Sequence, residues 1–107
     1  QDVLFQYVNR IHEIYGSELK AVILYGSYAR GDYTESSDID IMILVDSTED
    51  TIKQKGRMVS DITFDFNLDH DIMIMPIVKN VNHFQYWLPA DPFYKNVKNE
   101  GVKLYVA

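Results

Sequence analysis

The 107-residue sequence predicts a single α/β (α+β) domain over residues 1–107, built as a small mixed β-sheet flanked by helices. Three observations predict it. Apolar residues recur at helical spacing near the start, three later runs are β-branched and nearly continuous, and these runs alternate with helical or polar stretches. At 47% hydrophobic the chain can bury one modest core and leaves no material for a second.

Each element follows from its residues. Val3, Leu4, Tyr7, Val8, Ile11, Ile14 and Tyr15 form a helical stripe, with Gly16 placed to cap its end. Leu19 to Tyr25 (LKAVILY) reads as a buried strand, and Gly26-Ser27 opens a polar stretch to Ser37 that has room for one short helix. Asp38 to Val45 (DIDIMILV) reads as a second buried strand with a charged first turn. Ser47, with Asp50 three residues on, marks a helix start, and Ile52, Val59, Ile62 and Phe66 carry that helix to about Phe66, weakened by Gly56. Asp71 to Val78 (DIMIMPIV) is the third predicted strand, and Pro76 assigns it to a sheet edge or a bulge. The remainder is aromatic and broken by Pro89 and Pro92; it predicts one or two short helices and a last strand at Val102 to Val106.

Composition narrows the function. Ten basic against sixteen acidic residues give a formal charge of −6, so direct binding to nucleic acid through a Lys/Arg surface is not expected. A nucleotide remains compatible, provided divalent cations lie between it and the protein. With no cysteine there is no disulfide framework or thiolate metal site, and His12, His70 and His83 share no zinc-ligand spacing. No run reads as a membrane span or a secretory leader, and the expected setting is the cytoplasm.

The chemistry is concentrated between Tyr25 and Ile41. Asp38 and Asp40 stand two apart on a strand, so their side chains share a face about 6.6 Å apart along the backbone. Like charges ~4 Å apart at an effective dielectric near 20 repel by roughly 4 kcal/mol, which a hard divalent ion would offset. A solvated strand end is the plain alternative for a D-x-D pair alone. Upstream, Gly26-Ser27 ends a strand and enters a turn, where a missing Cβ and an added hydroxyl suit close approach to a phosphate. Arg30, one turn on, could make a forked phosphate contact. A Walker loop is excluded, because Asp32-Tyr33 follow Gly31 where that loop requires Lys-Ser/Thr. The full pattern is G-S, ten residues, then D-x-D, with a buried strand on each side.

The run GSYARGDYTESSDIDI resembles the signature of the DNA polymerase beta-like nucleotidyltransferases, in particular their minimal branch. The N-terminal helix and the ending PFYKNVKNEGVKLY are similar as well, but only the motif is specific. The resemblance implies the polymerase beta palm-like nucleotidyltransferase fold. It implies ATP held at Gly26 and Ser27, with Arg30 beside them, and two Mg²⁺ ions bound by Asp38 and Asp40. It also implies a third carboxylate on a neighbouring strand. Asp71 is the first choice because it begins DIMIMPIV, Asp69 the second, and Asp65 falls inside the predicted helix.

Large acceptor-shaping domains have no place in this length, so the acceptor is expected on a partner molecule. The resemblance implies an antitoxin that moves AMP onto a tyrosine of a helical HEPN toxin. His83, Phe84, Tyr86, Trp87, Phe93 and Tyr94 could form the docking surface, or could cap the domain's own core. A small-molecule adenylyltransferase with a helical subunit and a non-catalytic binding antitoxin are the competing readings.

Overall fold

The computed structural model describes residues 2–107. Helix α1 (Asp2–Tyr15) turns Leu4, Tyr7, Val8, Ile11, Ile14 and Tyr15 inward, as the stripe predicts. It stops where Gly16 adopts φ 57°, and one 3₁₀ turn leads into strand β1 (Leu19–Tyr25). Strand β1 pairs antiparallel with β2 (Ile39–Val45) on one side and β4 (Val102–Val106) on the other. Strand β3 (Ile74–Asn80) joins β2 in parallel, giving the order β3-β2-β1-β4. A parallel pair needs a crossover, and helix α3 (Glu49–His70) supplies it.

The two central strands are apolar apart from Lys20 and Asp40 near their ends, because both sheet faces are covered. Ile39, Ile41, Ile43 and Val45 point to one side, with Val22, Leu24 and Ile74, and pack against α1 and α3. Met42 and Leu44 point to the other side, with Ile23, and pack against Phe84, Tyr94 and Val97. Those three belong to α4 (Val81–Trp87) and α5 (Pro92–Glu100). Ile41, Met42 and Ile43 are fully buried, and burial of each contributes roughly 1.5–3 kcal/mol. This alternation decides where the acids point. Asp40 has the parity of Met42 and Leu44, so it projects on the α4/α5 side of the sheet.

Helix α1 is tied to α3 by a polar contact within the core. The Tyr7 hydroxyl and Thr63 Oγ1 lie 2.7 Å apart, Thr63 donates to the Val59 carbonyl, and Tyr7 meets Phe66 edge-on. Short helices α4 and α5 are capped by Asn80 and Asp91, with Pro92 starting α5. At the α5–β4 corner, a Cβ on Gly101 would collide with the Val97 carbonyl and the Ile23 side chain.

The polar segment after Gly26 holds one short helix, α2 (Ser27–Arg30). Several boundaries in the middle of the chain differ from expectation: β2 begins at Ile39, leaving Asp38 outside it, β3 runs on to Asn80, and both ends of α3 move. The cap of α3 is Thr48, which accepts from the Thr51 amide, while Ser47 is buried and donates to a Glu18 carboxylate oxygen. More consequentially, α3 runs past Phe66 to His70, so Asp71 does not begin a strand. Asp71 is the helix C-cap, in the left-handed region at φ 52° and ψ 50°, with its amide bonded to the Asn67 carbonyl. The cause is Asn67. Its side chain accepts from the Ile74 amide and donates to the Ile74 carbonyl, which fixes the strand start at Ile74. Pro76 does lie on an edge strand. Among the described residues, no helix is long and apolar enough to cross a membrane.

Candidate active site

The two halves of the motif meet where β1 ends and β2 begins. Tyr25 and Asp40 are cross-strand partners, so the turn after Tyr25 lies directly beside the Asp40 carboxylate. Gly26 makes this possible in two ways. It adopts φ 76° and ψ −154°, a region essentially restricted to glycine, and any Cβ there would run into Asp40 Oδ2. From Gly26 the chain enters α2, whose first turn closes on the Gly26 carbonyl through the Ala29 and Arg30 amides, each at 3.1 Å. Gly31, at φ 83°, ends that turn. The leading amides of a helical turn have no partner within it, which leaves the Ser27 end suited to an anionic oxygen.

Asp38 is exposed just before β2, and Asp40 is half-buried inside it. Burial raises the Asp40 carboxyl above the usual carboxylate range, the Asp38 charge raises it further, and Arg30 draws it part of the way back. The pair therefore stands as two like charges, one of them partly desolvated. The entry to β2 is pinned by the Ile39 amide, which donates to the Met73 carbonyl at 2.7 Å.

Arg30 is already engaged by two acids. Its Nε lies 3.2 Å from Asp32 Oδ2 and its Nη1 lies 3.3 Å from Glu100 Oε1. Glu100 comes from the end of α5, and sequence reasoning missed it because nothing local links positions so far apart. Aromatic rings frame the acids. Tyr25 packs edge-on against Phe93 at 5.5 Å, and burial followed by the Asp40 charge pushes its hydroxyl up to about 12. Tyr28 and Tyr33 stack in parallel at 4.2 Å.

A cleft of about 280 Å³ opens beside Asp38, with Tyr28, Ser37, Asp71 and Met73 among its walls. Asp71 thus reaches the same cleft as Asp38, though from a helix cap. Asp69 and Asp65 are exposed on α3 and do not line it. Asp40 faces Met75 in the parallel register, so the β3 residue sharing its face is not an acid. Among the described residues, no three His, Cys, Asp or Glu side chains converge as a metal cage. Two carboxylates remain, Asp38 just before β2 and Asp40 within it, the latter pressed against Gly26. That donor set fits Mg²⁺, which takes one or two carboxylates together with water and substrate phosphate oxygens.

Of the tail aromatics, Phe84 and Tyr94 are buried and belong to the core. His83 Nδ1 lies 3.1 Å from the Tyr94 hydroxyl, while Tyr86, Trp87 and Phe93 are exposed.

The mixed sheet thus brings a glycine-serine turn beside the D-x-D segment at the start of β2. Residues 8–105 match the family described as Polymerase beta, Nucleotidyltransferase, and the chain belongs to that family, as a member consistent with its minimal branch. It is 38% identical over 100 residues to MJ0604 of Methanocaldococcus jannaschii, a protein named as a candidate protein adenylyltransferase; the match spans 94% of this chain and 92% of that one. A toxin-antitoxin crystal structure with AMP-PNP superposes with a TM-score of 0.61 at 19% identity, covering 96% of this chain and 73% of that one. A candidate nucleotidyltransferase from Sulfolobus solfataricus gives 0.61 at 24% identity, covering 98% and 78%. Both likenesses concern the fold.

Proposed function

We propose that this chain transfers AMP from ATP to a hydroxyl of a partner protein, a tyrosine of a helical HEPN-type toxin, and acts as the antitoxin of that pair. The packing of Asp40 against Gly26 carries the reading. It sets a mutually repelling carboxylate pair, in want of a cation, beside a turn with amides open to phosphate. The name of MJ0604 supports a protein acceptor, and the toxin-antitoxin neighbour with AMP-PNP supports ATP and a toxin partner.

Asp38 and Asp40 would hold Mg²⁺, two ions in the full site, whose charge would offset that of the triphosphate and of the transition state. The Gly26–Ser27 turn would orient the phosphates, and Arg30 would exchange Asp32 and Glu100 for phosphate oxygens. The acceptor oxygen bonds to the α-phosphorus as the bond to the β-phosphate oxygen breaks, and pyrophosphate leaves. The acceptor proton passes to a carboxylate, for which Asp71 on the Asp38 cleft is the candidate. Most of the rate enhancement would come from positioning and charge stabilisation.

The test is to incubate the chain with ATP, Mg²⁺ and the protein encoded beside it, then weigh that protein. The expected result is a gain of one AMP mass, abolished by Asp38→Asn with Asp40→Asn. An unchanged gain in the double variant, or no gain with the native chain, would sink the proposal. Full toxin neutralisation by the double variant would point to inhibition by contact alone.

A further inference from the structure

A second concavity lies on the α4/α5 side of the sheet, and the acid pair makes no use of it. It is an apolar groove of about 410 Å³ walled by Ile23, Leu44, Phe84, Leu88 and Val97. Its charged lining is entirely basic, consisting of Lys20, Lys98 and Lys103, although the chain has sixteen acids and only ten Lys and Arg. Among the described residues the ion pairs involve Arg10, Arg30 and Arg57, and none of these three lysines is in one. The apolar surface also runs out of the groove onto Val106 of edge strand β4, which is 59% exposed.

We propose that this groove docks an acidic amphipathic helix of a partner protein, with apolar side chains entering the groove and carboxylates meeting Lys20, Lys98 and Lys103. The three lysines sit on separate elements, β1, α5 and β4, so they match several acids spaced along a segment better than one anionic headgroup. An apolar floor with a charged border of one sign is the usual form of helix-in-groove recognition. A locally positive border on a chain of net charge −6 also gives an acidic partner one favoured approach. Leu44 and Asp40 share a face of β2, about 13 Å apart, so a partner seated here lies on the side of the sheet that carries the acid pair. The proposal does not depend on nucleotidyl transfer.

The test is an NMR titration of the ¹⁵N-labelled chain with a synthetic helix bearing leucines at i, i+3, i+4 and i+7 and flanking glutamates. A control peptide carries lysine in place of every glutamate. The acidic peptide is expected to shift amides of α4, α5 and β4 and to bind at least tenfold tighter than the control. Lys98→Glu with Lys103→Glu should reverse that preference, and Lys98→Gln with Lys103→Gln should erase it, so the proposal stays testable if the first variant misfolds. Equal binding of the two peptides, shifts confined to other elements, or indifference to both variants would overturn it. So would dodecanoate filling the groove while the acidic peptide does not bind, which would assign it to a small anionic amphiphile.

Discussion

Replacing Gly26 by alanine separates the local physics of the site from general damage to the fold. The substitution forces a side chain into φ 76° and ψ −154°, a strain of about 1–3 kcal/mol. It also drives a methyl group into Asp40 Oδ2, so the carboxylate must rotate or the turn must retreat. For a domain of this size each kcal/mol lowers Tm by about 4–8 °C, which sets the expected loss at roughly 5–20 °C. Misplacing a catalytic group by ~1 Å costs about 100-fold in rate, so ATP-dependent pyrophosphate release should fall by about that factor at a temperature where the variant is folded. Gly31 is the internal control. It too has positive φ, at 83°, but an added Cβ there meets nothing within 4 Å. Gly31→Ala should therefore lose about 1–2 kcal/mol of stability and keep near-native turnover once folded. Equal turnover losses in the two variants, or a fully active Gly26→Ala, would refute the claim that Gly26 is required by Asp40.

Three further outcomes follow from the same geometry. Glu100→Gln should free part of Arg30 and lower the KM for ATP a few-fold, while Arg30→Ala should raise it with a smaller change in kcat; initial-rate kinetics would separate the two parameters. Asp40→Asn should raise Tm while abolishing transfer, because burial and Asp38 both disfavour the ionised carboxylate; a fall in Tm by differential scanning fluorimetry would refute this. Burial pushes Tyr7 up to about 12 from an unfolded value of 10, so between pH 10 and 12 the unfolded chain releases a proton the folded chain retains. Stability present below pH 10 is then lost as pH rises through 12, about 2–3 kcal/mol for this group, and Tyr7→Phe should flatten the slope of urea midpoints against pH without removing the share from Tyr25.

What was legible in the sequence was what short-range pattern dictates. Leu19 to Tyr25 is β-branched and apolar apart from Lys20, and β1 occupies those residues. The D-x-D pair was readable as a motif, and strand parity accounts for the direction of Asp40, while Asp38 lies just outside β2. Long-range contacts account for what was not readable. DIMIMPIV has strand character from its first residue, but the two hydrogen bonds from Asn67 to Ile74 hold the chain in a helix cap as far as Asp71. Ser47 and Thr48 are equally good caps by type, and the choice falls to Thr48 because Glu18, distant in sequence, engages Ser47. The parallel register that sets Met75 opposite Asp40 has no signature in either strand, and neither does the reach of Glu100 to Arg30. The basic-bordered groove draws its walls from five elements, β1, β2, α4, α5 and β4, and exists only once they are packed.

Calorimetric titration of the chain with Mn²⁺ and AMP-PNP tests the central claim most directly, because it reports metal and nucleotide retention without needing an acceptor. The native chain should bind the nucleotide only with the metal present, and Asp38→Asn with Asp40→Asn should weaken that binding at least tenfold while the fold persists. Metal-independent binding, or undiminished affinity in the double variant, would contradict a cation held between these two carboxylates and the glycine-serine turn.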